Sequence, residues 1–102
     1  MAAYFLDCDG TTVFFGTDAP LPGAIEHLKS LLENGDQVIF TTARGNADSF
    51  IEMMTEHGLG HLPVIINVQS PRVIVNDAGA FAVNPETDQA WWTLPLRNTP
   101  HA

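Results

Sequence analysis

At 102 residues the chain suits one domain with a modest core and is too short for a second lobe. Hydrophobic residues make up 45% and charged residues 16%, which excludes a disordered chain. The formal net charge is −8, with only Lys29, Arg44, Arg72 and Arg97 positive, so a nucleic-acid-binding surface is not expected. Cys8 is the only cysteine, and no internal disulfide can form. The sequence carries no basic-apolar-small leader and no apolar run long enough for a bilayer. A soluble cytoplasmic protein without a membrane partner is the expectation.

In chain order, Tyr4, Phe5 and Leu6 predict a buried strand. It ends in Asp7-Cys8-Asp9-Gly10-Thr11-Thr12, where Gly10 supplies a tight turn. Asp7 and Asp9 are thereby delivered to the carboxyl edge of a sheet, the edge at which open α/β sheets bind ligands. Two carboxylates so close repel unless a cation or a proton lies between them. Strand alternation turns Cys8 to the opposite face, as a buried structural thiol. Residues 13–22 form a short loop. Its Val13-Phe14-Phe15 stretch reads as core packing, or as a flap or dimer contact beside the site.

A helix is predicted over 23–34, with Ile25, Leu28, Leu31 and Leu32 at helical spacing, Pro22 at its start and Gly35 closing it. A second buried strand follows over 37–41 and runs into Thr41-Thr42-Ala43-Arg44-Gly45. Asn46 can cap a helix over 47–57 that turns Phe50, Met53 and Met54 inward. Strands are predicted over 63–68 and 72–75, the latter ending in Asn76-Asp77-Ala78-Gly79, with a short edge strand over 81–83. Trp91 and Trp92 are expected to pack the C-terminal segment onto the domain. Residues 1–97 form the domain, and 98–102 form a frayed tail. The strand–helix alternation predicts a parallel sheet flanked by helices. Right-handed crossovers would bring Asp7, Asp9, Thr42 and Asp77 to one rim. His27, His57 and His61 show no metal-ligand spacing.

Asp7-Cys8-Asp9-Gly10-Thr11 resembles the Asp-x-Asp-Gly-Thr signature of the haloacid dehalogenase-like (HAD) phosphohydrolase superfamily. Thr42-Ala43-Arg44 resembles its Thr-x-Arg form after the second strand, and Asn76-Asp77 its acidic pair after the last core strand. The resemblance covers residues 3–85. It implies an α/β fold: a three-layer Rossmann-like core with a mostly parallel central sheet. The 13–22 loop is too short to carry a cap domain. It also implies a Mg2+-dependent phosphatase acting through an aspartyl-phosphate. Asp7 would be the nucleophile and a metal ligand. Asp9 would be the general acid/base, with its carbonyl on the metal. Thr42 would bond the phosphate, and Asp77, with Asn76, would complete the metal set. Gly10, Thr11, Ala43 and Arg44 would line the substrate, Arg44 as a phosphate clamp or as a plain surface arginine. The expected substrate is a phosphorylated small molecule or a phosphoprotein. A capless site lies open, and a homo-oligomer could cover it.

The family's lysine before the acidic pair is absent here, and Ser70 stands where related sequences often carry it. Arg72 is the candidate replacement, although its fork is bulkier than an ammonium. That departure supports a second reading, a catalytically weak or inactive domain that binds metal and phosphate. A signalling receiver domain would need its acceptor aspartate on a later strand and a lysine beyond it, and neither is found.

Overall fold

The computed structural model describes residues 1–77 and 79–98, without the side chains of 97 and 98. Its elements in order are β1 (Ala3–Asp7), α1 (Ala24–Glu33), β2 (Gln37–Thr41), α2 (Asp48–Glu56), β3 (Val64–Ile65), β4 (Phe81–Ala82), a 3-10 turn (Trp91–Thr93) and β5 (Arg97–Asn98). β1, β2 and β3 form a parallel sheet with β2 in the middle. Each crossover carries one helix, as a parallel connection requires. The fold class is therefore α/β, with a parallel three-stranded sheet and two helices.

The register explains which side of the sheet becomes the core. Tyr4 pairs with Val38, Leu6 with Phe40, and Asp7 with Thr41. Side chains alternate along a strand, so Leu6, Val38 and Phe40 share one face, and all three are buried. Ile25, Leu28 and Leu31 of α1 join that cluster, as do Phe50 and Met54 of α2. Phe40 and Phe50 meet edge to face, with centroids 5.0 Å apart, which is the preferred geometry of an aromatic pair. On the opposite face Phe5 is 59% exposed.

The predicted helices form, each a residue or so shorter at its ends. α1 ends at Gly35, with the Asp36 amide donating to the Leu31 carbonyl and the Gly35 amide to the Leu32 carbonyl. The cap of α2 differs in detail. Ala47 holds the N-cap position and Asn46 stands before it, accepting from the Asp48 amide through Oδ1 at 2.8 Å.

The last third of the chain departs from expectation. The third strand contracts to two residues. Residues 72–75 are not a strand: Val73, Ile74 and Val75 are 83%, 61% and 93% exposed, with no ladder partner among the described residues. A β-branched run has the local preference for extended backbone, but strand pairing needs a neighbour as well. Phe81 and Ala82 pair antiparallel with Asn98 and Arg97 in a separate two-stranded ribbon. Asn98 therefore belongs to a strand, and the remainder of the expected tail, 99–102, lies outside the described residues. Trp91 packs the segment onto the core, 7% exposed, against Tyr4 and edge-on to His27, while Trp92 stacks on His27. Among the described residues no helix is long and apolar enough to cross a membrane.

Candidate functional site

The carboxyl end of β1 dissolves into a tight turn. The amides of Thr11, Thr12 and Val13 all point at the Cys8 carbonyl, at 3.4, 3.0 and 3.1 Å. The Thr12 hydroxyl donates to the Asp7 carbonyl at 2.9 Å. Gly10 has φ +75°, and its carbonyl accepts from the Asp88 amide at 2.7 Å. Cys8 and Thr12 are buried under the turn, while Asp7 and Asp9 stay half-buried at its rim. Burial and its own backbone thus hold the motif rigid, with both carboxylates outward.

Arg44 dominates the electrostatics. Its Nε donates to Asp9 Oδ2 at 3.0 Å and its NH2 to Asp9 Oδ1 at 2.8 Å, a bidentate pair. NH1 donates to Asp18 Oδ1 at 2.6 Å, and NH2 also to the Thr17 carbonyl at 2.8 Å. The guanidinium carbon lies 5.8 Å from the centre of the Phe50 ring. Arg72 reaches Asp7 more loosely, NH2 to Oδ1 at 3.5 Å, and donates to the Val68 carbonyl at 3.2 Å.

These contacts pull the two aspartates apart in proton affinity. Burial raises Asp7 above the usual carboxylate range, with Arg72 opposing it. The hydrogen bonds from Arg44 hold Asp9 below that range, and they do the same for Asp18. Burial pushes the Cys8 thiol up to about 12, consistent with a structural rather than nucleophilic sulfur.

The structure brings Asp7, Asp9, Gly10, Thr11, Thr42, Ala43, Arg44 and Arg72 to one region. Thr42 is fully buried, and its Oγ1 accepts from the Arg44 amide at 3.1 Å. The register sets Thr41, not Thr42, opposite Asp7 on the same sheet face, and Thr41 is partly exposed. Arg44 spends four N–H donors on Asp9, Asp18 and Thr17, so a guanidinium expected to grip substrate is engaged by the protein itself. Asp77 and Asn76 lie on the exposed 72–77 segment rather than at a strand end. Among the described residues no three His, Cys, Asp or Glu groups are placed to hold a metal ion.

Two residues of this region carry no local sequence signal. Asp18 sits in a Gly-Thr-Asp turn, and its partner Arg44 is 26 positions away. Asp88, at φ +63°, accepts from the Phe15 amide through Oδ1 at 2.8 Å and so ties the 13–22 loop to the C-terminal segment. That loop divides: Val13 is buried in the core, whereas Phe14 and Phe15 are 39% and 68% exposed beside the site.

Comparison with protein-family models, with curated proteins and with solved structures returns no match to this chain.

Proposed function

We propose that this chain is a small capless HAD-like phosphatase that hydrolyses a phosphomonoester through Asp7. The observation that carries the reading is Asp7-Cys8-Asp9-Gly10-Thr11 at the carboxyl end of a parallel strand, both carboxylates outward on a rigid turn. In the proposed reaction an Asp7 oxygen attacks phosphorus, the ester oxygen leaves, and Asp9 supplies its proton. Water then attacks the aspartyl-phosphate, Asp9 takes a proton, and phosphate is released with Asp7 restored. Thr41 or Thr42, Gly10 and Thr11 would line the phosphate. Arg72, within reach of Asp7, would stand in for the absent lysine.

Mg2+ belongs to the proposal as cofactor, held by Asp7 and the Asp9 carbonyl. It would neutralise phosphate charge. Asp77 and Asn76 would need to approach for the set to be complete. The finer fold proposed with this reading is the three-layer core with a mostly parallel central sheet. A phosphorylated small molecule or phosphoprotein in the cytoplasm remains the proposed substrate, with a second copy covering the open site.

The second reading, a weak or inactive metal- and phosphate-binding regulatory domain, is favoured by one observation. Arg44 holds Asp9 as a carboxylate, the wrong form for protonating a leaving group. One assay separates the two: hydrolysis of an aryl phosphate with and without Mg2+, for wild type and Asp7→Asn. Metal-dependent turnover lost in the variant supports the phosphatase. Mg2+ binding without turnover across a panel of phosphates supports the regulatory domain.

A further inference from the structure

We infer that Asp18 is a positioning residue: acting through Arg44, it aims the Asp9 carboxylate and pins the 13–22 loop against the end of β2. The inference rests on the phosphatase reading for its catalytic consequence, but not for its geometry. Both Asp9 oxygens are taken by one guanidinium, Oδ2 by Nε at 3.0 Å and Oδ1 by NH2 at 2.8 Å. The other contact on Asp9 is long, from the Gly16 amide to Oδ1 at 3.4 Å. The direction in which Asp9 points is therefore the direction in which Arg44 is held.

Arg44 cannot hold itself. Its side chain has four rotatable bonds, and a fork aimed by them alone samples many positions. Asp18 closes that freedom with a 2.6 Å bond to NH1, the shortest contact of the group. The Thr17 carbonyl adds a second bond from the same loop, and the Phe50 ring lies against the guanidinium. A chain of contacts thus runs from the 13–22 loop, at Asp18 and Thr17, through Arg44 to Asp9. Each link is a charged or polar group with a defined partner, so displacement of Asp18 is transmitted to Asp9. This assigns Arg44 to the protein's own framework and not to gripping phosphate.

The test uses the full chain, with Asp18→Ala, Asp18→Asn and Arg44→Lys. Nitrogen-detected NMR follows the Arg44 Nε–H signal, which reports whether the guanidinium is immobilised whether or not the protein turns over. Aryl phosphate hydrolysis follows kcat and KM separately. In wild type a slowly exchanging Arg44 Nε–H is expected. Asp18→Ala should lose it and lower kcat about 10- to 100-fold, the scale of a roughly 1 Å misplacement, with KM little changed. Asp18→Asn, which keeps an acceptor oxygen, should recover part of both. An Nε–H signal equally protected in Asp18→Ala would overturn the inference. So would a rise in KM at constant kcat, because that is the mark of a guanidinium binding substrate. Absence of turnover in wild type would count against the phosphatase reading alone, and the NMR comparison would still decide the positioning.

Discussion

Replacing Gly10 with alanine tests the turn that carries both aspartates. Gly10 has φ +75°, a conformation that costs an L residue roughly 1–2 kcal/mol. Part of that, about 0.4–1 kcal/mol, is returned because alanine narrows the unfolded ensemble. The new methyl would also stand 3.1 Å from Thr87 Cγ2 and 3.6 Å from the Asp88 amide nitrogen. Thr87 must then yield by a few tenths of an ångström, and Asp88, whose amide bonds the Gly10 carbonyl, is drawn with it. Overpacking of this kind costs about 1–3 kcal/mol. The net expectation for Gly10→Ala is a loss of about 2–3 kcal/mol, or a fall in Tm of roughly 8–24 °C for a domain of this size.

Gly16→Ala is the matched control. Gly16 has φ +77°, but nothing lies within 4 Å of the position its Cβ would take. It should lose only the backbone part, about 1 kcal/mol or less. Thr87→Ser removes the offending methyl and should restore about 1 kcal/mol to Gly10→Ala while costing little by itself. The assay is urea unfolding of the four variants at pH 7, fitted with a common m-value. If Gly10→Ala and Gly16→Ala prove equally costly, or if Thr87→Ser gives no relief, then the packing of the 86–88 turn against the aspartate loop is not as described.

Three further outcomes follow from the same geometry. Arg44→Met should cost about 2–3 kcal/mol at pH 7, since it leaves Asp9 and Asp18 without their charge-assisted partner. Both carboxylates are depressed in the folded state, so their contribution is present above the unfolded value of about 3.9 and lost as pH falls through the folded values. Urea titrations should therefore show the Arg44→Met penalty shrinking toward pH 2, and a penalty independent of pH would refute the pairing. Asp7 has the opposite sign: its raised folded value makes ionisation cost stability as pH rises, so Asp7→Asn should be slightly more stable than wild type at pH 7. The gain should stay below about 1 kcal/mol because Asp7 is partly solvated, and a lower Tm for the variant would contradict it. Cys8, wholly buried with its thiol pushed up to about 12, should resist alkylation until the protein unfolds; labelling at the rate of a free thiol would show that the turn opens.

Local patterning determined most of the first 60 residues. Apolar runs at period two and period three to four located β1, α1, β2 and α2 because burial of one face is written into spacing. The Asp-x-Asp-Gly stretch announced a strand end with two outward carboxylates, for the same local reason. The identity of the groups that neutralise those carboxylates was a tertiary matter. Asp18 reaches Arg44 across 26 positions, and the bond exists only because the crossover of α1 returns β2 beside β1. Register decided that Thr41 shares a face with Asp7 while Thr42 turns inward, and one residue of slip would reverse both. Pairing decided the fate of 72–75 as well: Val73, Ile74 and Val75 have the composition of a strand, yet a strand exists only against a neighbour, and composition does not supply one. The proton affinities of Asp7 and Asp9 diverge for the same reason. Two identical side chains two positions apart differ because burial dominates around one and a guanidinium from a distant strand end dominates around the other.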